Sequence, residues 1–346
     1  TYSGAITLGA TSTIVSTGGA QTISGAVNGG QALTITANGN LIISGAVGGG
    51  TNLSSYAVTT TTGSQTFSAN VETTGNQTYT AAGGIVTSGA RTFDSSGGTV
   101  NFASALSGNH NVTVTGNADI DGAVTSIAVL SVSGTSNIGA DITTSGTQTY
   151  TGAVTLSANV TLTSSGDVIT FSNTVNSADS TNRDLTVTTG GDTVHINFDG
   201  IVGGSQGLGA IAITGVLDLN AAIADANSLT VSGVSLLDAD VTTSGTQTYS
   251  AAITLGTAAR TLAGSIIQTV AVNGEQNLTI TGNLDLNGAI TQVAVFAVSG
   301  TTDLGANVTT TGTQTYSSAV TLSADITLTS SDDNFTFSST VDSADS

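Results

Sequence analysis

Apolar and polar residues alternate along this chain in short runs: LTIT from Leu278, VTVT from Val112, VTLTSS from Val160 and ITLTSS from Ile326. A period of two puts successive side chains on opposite faces of an extended strand. The apolar members are mostly Val, Ile and Leu, and Gly, Asn, Asp and Ser punctuate the runs, as strands and turns require. No stretch carries the 3.6-residue apolar period of an amphipathic helix. The pattern predicts an all-β protein.

The runs repeat. SGTQTYTGAVTLSANVTLTSSGDVITFSNTVNSADS (145–180) returns as TGTQTYSSAVTLSADITLTSSDDNFTFSSTVDSADS (311–346), identical at 26 of 36 positions with an offset of 166. The register extends upstream, so residues 112–180 and 278–346 form one super-repeat, and TTSGTQTYSAAITL from Thr242 is a third, partial copy. A smaller motif recurs within it: an apolar residue, a spacer, small residues, then Val or Ile. Examples are YSGAI at Tyr2, ISGAV at Ile23, IDGAV at Ile120, YTGAV at Tyr150 and LNGAI at Leu286. Many copies lie near 20 residues apart, the length of one coil of a three-sided parallel β-helix. Each strand would pair with its counterpart one coil above and below, about 4.8 Å away. The chain is thus predicted to be a single continuous β-solenoid over residues 1–346, with about 16 to 18 coils and a length of about 80 Å at that rise. Small residues in the motif suit corners where backbones approach closely. Spacings of 12, as from Ile138 to Tyr150, are short for a full coil and leave two placements for TQTY, another face of the same turn or a coil of its own. Tyr150 over Phe171 and Tyr316 over Phe337 should form packing ladders. An antiparallel sandwich is the alternative.

Composition narrows the function. The chain has no Pro, Cys, Met or Trp, and 7% charged residues against a usual quarter. Its net charge of −19 comes from scattered acids opposed by Arg91, Arg183 and Arg260 alone. Nucleic acid and anionic membranes both need a basic surface that this chain lacks. No apolar run approaches the roughly 20 residues of a membrane-spanning helix. Both ends fall within a repeat, so the expectation is a segment of a longer protein.

Several groups could carry chemistry. Asp119/Asp121, Asp238/Asp240 and Asp332/Asp333 are close carboxylate pairs of the sort a glycosidase uses. Yet Asp121 aligns with Asn220 and Asn287, and Asp332 with Gly166, as turn residues would. His195, flanked by Asp192 and Asp199, sketches acid–base or metal chemistry, whereas His110 sits in a GNHN turn. A uronate lyase would need clustered cations, and the three arginines are far apart in sequence. No catalytic, cofactor-binding or metal-ligating residue is therefore assigned, and weak Ca²⁺ binding by turn Asp is the one cofactor considered. Thr-x-Thr runs such as Thr147/Thr149 and Thr161/Thr163 raise ice binding, which requires one flat face with threonine ranks on every coil. Here the runs are expected to shift face between coils.

With TTTGTQTYSSAVTLSADITLTSS in view, the chain resembles the β-strand-repeat regions of very large bacterial surface proteins, the filamentous-haemagglutinin-like and autotransporter-type adhesins. That resemblance implies a right-handed β-solenoid, secreted to the cell surface, acting as a non-catalytic stalk. Binding to a host cell, a neighbouring cell or a matrix polymer would then fall to regions outside this segment. The alternatives are a subunit of a self-assembling extracellular filament or biofilm matrix, associating end to end or laterally, and, from another class, a β-helix polysaccharide lyase or hydrolase.

Overall fold

The computed structural model describes residues 1–191, 194–331 and 333–344, and every regular element among them is a β-strand. The fold is a parallel β-solenoid of about 17 turns with coils of about 20 residues. The chain divides into two compact units, Thr1–Ser172 and Asn173–Ser346.

In the first unit a coil comprises three short strands. Gln21–Ile23 lies on one face, Val27–Asn28 on the next and Ala32–Ala37 on the third. The chain then returns, and Leu41–Ile43 pairs in parallel over Gln21–Ile23, while Ser55–Thr60 pairs over Ala32–Ala37. The second unit repeats the scheme, with Leu208–Thr214 over Arg183–Thr189 on one face and Val216–Leu219 over His195–Phe198 on another.

Period two determines the interior. Three-residue strands such as Ile85–Thr87 and Val154–Leu156 bury their first and last residues and turn the middle one outward. Register then stacks like over like. Ile35, Val58, Tyr79, Phe102, Ile120, Ile138 and Leu156 form one inward file in the first unit, each the direct partner of the next. In the second unit Val231, Tyr249, Thr269, Leu286, Leu304 and Leu322 do the same. The predicted aromatic ladders are present, with Tyr150, Phe171 and Tyr316 buried and Phe337 exposed. Tyr150 and Phe171 stack with ring centroids 5.4 Å apart, and Tyr316 and Phe337 at 5.1 Å. Ile138 and Tyr150 occupy different faces of one turn, since Ile138 pairs with Leu156 and Tyr150 with Phe171.

The small-residue motif marks corners, and the same motif serves all three. It turns the chain between the strands ending at Ile23, Ile120 and Tyr150 and those beginning at Val27, Val124 and Val154. Glycine is needed there because a Cβ at Gly25 or Gly122 would collide with the backbone of the preceding coil, at Gly4 and Ser104 respectively. The two super-repeat copies share their details. Strands Val112–Ile120 and Leu278–Leu286 bend at Gly116 and Gly282, both at positive φ. Ser126 and Gln292, which correspond, are both left-handed as well, at φ 54° and 61°.

A buried polar network recurs with the sequence T-x-G-x-Q-T-Y, at Thr73–Tyr79, Thr144–Tyr150, Thr243–Tyr249 and Thr310–Tyr316. Gln and Tyr are two apart, so both point inward. Gln148 Nε2 donates to Ile142 O, to Thr144 Oγ1 and, in the next coil, to Thr163 O at 2.8 Å. Tyr150 OH donates to Gln148 Oε1 at 3.0 Å, and Thr144 Oγ1 donates to Gly146 O at 2.6 Å. Gln77, Gln247 and Gln314 repeat the pattern. Burial pushes the phenols of Tyr79, Tyr150, Tyr249 and Tyr316 well above their ordinary pKa. Their ionisation at high pH therefore favours the unfolded chain, and their stabilising share is lost as pH rises above the ordinary tyrosine range of about 10.

Two natural exceptions show what the pairing contributes. At Gln65 the aromatic two residues on is Phe67, and Gln65 Oε1 is buried without a partner. Tyr56 has Ser54 in place of glutamine, and its hydroxyl is likewise buried and unpartnered. Supplying the missing hydroxyl with Phe67→Tyr should raise the unfolding midpoint, a gain of about 1 kcal/mol. Gln148→Ala should lower it by about 3 kcal/mol, because several buried groups lose their partner at once. Thermal or urea unfolding of the two variants checks these opposite signs.

Candidate functional site

At some corners a backbone carbonyl of the preceding coil accepts, as Phe102 O does from Gly122 N–H, but at others the ladder is interrupted and an amide is left without a strand partner. A side-chain amide or carboxylate of the preceding coil supplies the acceptor. Thr135 N–H donates to Asn117 Oδ1 at 3.0 Å, and Thr99 N–H to Asn76 Oδ1 at 3.0 Å. In the second unit Thr261 N–H donates to Asp240 Oδ1 at 2.8 Å, and Ala210 N–H to Asp184 Oδ1 at 2.7 Å. One pair of equivalent corners defines the role. Thr161 N–H donates to Asp141 Oδ1 at 2.7 Å, and its super-repeat counterpart, Thr327 N–H, donates to Asn307 Oδ1 at 2.7 Å. Aspartate and asparagine are interchangeable there because each presents the same acceptor oxygen.

The carboxylates singled out from sequence follow this logic. Asp119 accepts from Asn101 Nδ2 at 2.6 Å and from Asn137 Nδ2 at 2.8 Å, on the coils before and after it. Asp121 shares the same Asn101 amide at 3.1 Å. Asp240 caps a corner, while exposed Asp238 stands 3.8 Å from Arg260. Asp333 N–H donates to Ser330 Oγ, and Asp332 lies outside the described residues.

The arginines act mainly on backbone. Arg260, 9% exposed, donates through Nε to Leu237 O at 2.9 Å, and Arg91 Nε donates to Phe67 O at 3.3 Å. Both carbonyls belong to the preceding coil. Arg183 pairs with Asp179 at 3.4 Å on the surface. Hydrogen bonds from Thr181, and secondarily the Arg183 charge, hold the Asp179 carboxyl below its ordinary pKa.

His195 does meet a carboxylate, but neither of those flanking it in sequence. Its Nδ1 lies 3.5 Å from Asp218 Oδ2, brought up by the strand one coil on. Asp199 instead accepts from Asn220 Nδ2 at 2.8 Å, and Asp192 lies outside the described residues. The signal for Asp218 was its place two residues after Val216, the strand partner of His195. His195 is 41% exposed, and its one ion-pair partner among the described residues is Asp218. His110 is exposed in its turn, with its carbonyl accepting from Ala128 N–H.

Two open troughs fall at equivalent places in the super-repeats. One, of about 260 Å³, is floored by Asn117, Asp119, Thr135, Asn137 and Thr155. The other, of about 320 Å³, is floored by Asn283, Asp285, Thr301, Asp303 and Thr321. In the first, an amide stacks on a carboxylate and donates to it. In the second, Asp285 and Asp303 are direct strand partners, and Asp303 Oδ1 is buried without a hydrogen-bond partner. Two carboxylates fall well short of the six to eight oxygens around Ca²⁺. Among the described residues no group of three or more His, Asp or Glu stands where it could hold a metal ion. The Thr-x-Thr runs noted from sequence divide between faces: Thr149 pairs with Ser131 and Thr170, and Thr163 with Thr143.

If the corner aspartates serve as acceptors and not as acids, Asp141→Asn should leave the unfolding midpoint unchanged within about 0.5 kcal/mol. Asp141→Ala should cost about 1 kcal/mol by stranding the Thr161 amide. Parallel urea titrations of the two variants distinguish the roles.

No family model matches this chain, and comparison with curated proteins and with solved structures likewise returns no match.

Proposed function

We propose that this chain is a structural, non-catalytic shaft segment of an extracellular bacterial surface fibre or adhesin. The observation that carries this reading is the equivalence of the two super-repeat copies. They share register, corner bonds and nearly all strand boundaries, with Asp in one copy doing what Asn does in the other. A reaction centre places particular acids and bases at one location. A shaft requires only that each coil fit its neighbour, and the interchange of Asp and Asn satisfies that requirement. Parallel ladders closed at their corners resist local opening, and the near absence of Lys and Arg leaves few sites for trypsin-like proteases. Binding to a cell surface or matrix polymer is assigned to other parts of the assembled fibre.

Immunogold labelling of intact cells that make the protein tests this directly, with and without in-frame removal of one 166-residue period (Val112 to Asn277). A shaft predicts label outside the envelope, and shorter reach after the deletion with strand content retained. Label confined to the cell interior, or reach unaffected by the deletion, would contradict it.

A further inference from the structure

On one face of the first unit, four successive strands pair without any register shift: Ser12–Ser16, Ala32–Ala37, Ser55–Thr60 and Gln77–Ala81. Their outward residues make two straight files. Thr13, Thr34, Ala57 and Thr78 form one. Val15, Thr36, Thr59 and Thr80 form the other. This corrects the expectation that threonine pairs shift face between coils, which holds for the runs at Thr149 and Thr163 but not here.

These four strands have five or six residues and present two outward files side by side, where the three-residue strands present one. None of the panel's four strands contains a charged residue, although the chain carries a net charge of −19. None of the six threonine hydroxyls has a hydrogen-bond partner among the described residues, whereas inward Thr60 and Thr73 donate to Gly63 O and Gly75 O. The two exceptions, Ala57 and Val15, keep a methyl where threonine has one. The aromatic rings of these strands, Tyr56 and Tyr79, point into the core at 1% and 0% exposure.

Parallel pairing spaces the outward residues by about 4.8 Å across strands and by about 6.6 Å along them. Threonine is β-branched, so its methyl and hydroxyl are held at restricted χ1. The result is a rigid rectangular mesh of methyls and unpartnered hydroxyls, neutral throughout. A charged polymer finds no counter-charge on it, and a crystalline sugar finds no ring on which to stack. A neutral lattice of hydrogen-bonding oxygens with a comparable mesh complements it. We propose that this face binds ice, with the threonine hydroxyls and methyls ordering water in register with a crystal plane. Each contact is weak, but the panel engages all of them at once without ordering flexible side chains. Past Thr78 the first file continues to Asn101 and then Asp119, where a charge ends the panel.

The test uses the full chain, fluorescently labelled, in ice-affinity uptake and in observation of single ice crystals. Wild type should be drawn into a growing ice hemisphere and should facet the crystals. Thr36→Lys and Thr59→Lys, at the centre of the panel, should lose both properties with circular dichroism and unfolding midpoint unchanged. Thr149→Lys, on a different face, should retain them. Exclusion of the wild-type chain from ice overturns the proposal, as does full activity of the two panel variants. Equal loss in a folded Thr149→Lys variant overturns the assignment to this face.

Discussion

The structure depends on one interaction, the parallel hydrogen-bond ladder between successive coils. It fixes every residue over a counterpart about 4.8 Å away, so the side chains of one coil dictate those of the next. Apolar residues must then form inward files, and any amide displaced from the ladder at a corner needs another acceptor. Both requirements are met by short-range means: β-branched residues within strands, and Asn or Asp at the turns. The interior polar network follows from the same constraint. Gln148 can reach Thr163 O only because the next coil sits directly over its own.

Much of this was legible in the sequence because strand periodicity and repeat length are one-dimensional signals. The alternation predicted strands, and the recurrence near 20 residues predicted the coil. The small-residue motif pointed correctly to corners, although it could not tell which, because all three corners use it. Chemistry depending on inter-coil register was harder to read. Asp218 faces His195 from 23 residues away, beyond the sequence neighbours Asp192 and Asp199. The threonine panel was hidden for a related reason. Thr-x-Thr occurs on several faces, and only the pairing of Thr36 with Thr59 and of Thr59 with Thr80 reveals two aligned files. The Gln-x-Tyr pair was visible as a motif, but its meaning came from the orphaned oxygens at Gln65 and Tyr56, where one member is missing.

The acidity of the chain also takes its place in this scheme. Carboxylates at Asp141, Asp184 and Asp240 are spent on backbone amides, and Asp119 on flanking asparagines. Where the stacking of like charges is not relieved, at Asp285 and Asp303, an oxygen is left without a partner. Shape is thus maintained across the two copies although Asp141 in one stands where Asn307 stands in the other.

Amide hydrogen exchange tests the central claim most directly. If side-chain oxygens of one coil complete the ladder of the next, the corner amides of Thr135, Thr161, Thr261 and Thr327 should exchange as slowly as the strand amide of Thr149. Exchange of those four at the rate of an unstructured chain, with the strand amides still protected, would show that the corners are open and that the ladder is not continuous between coils.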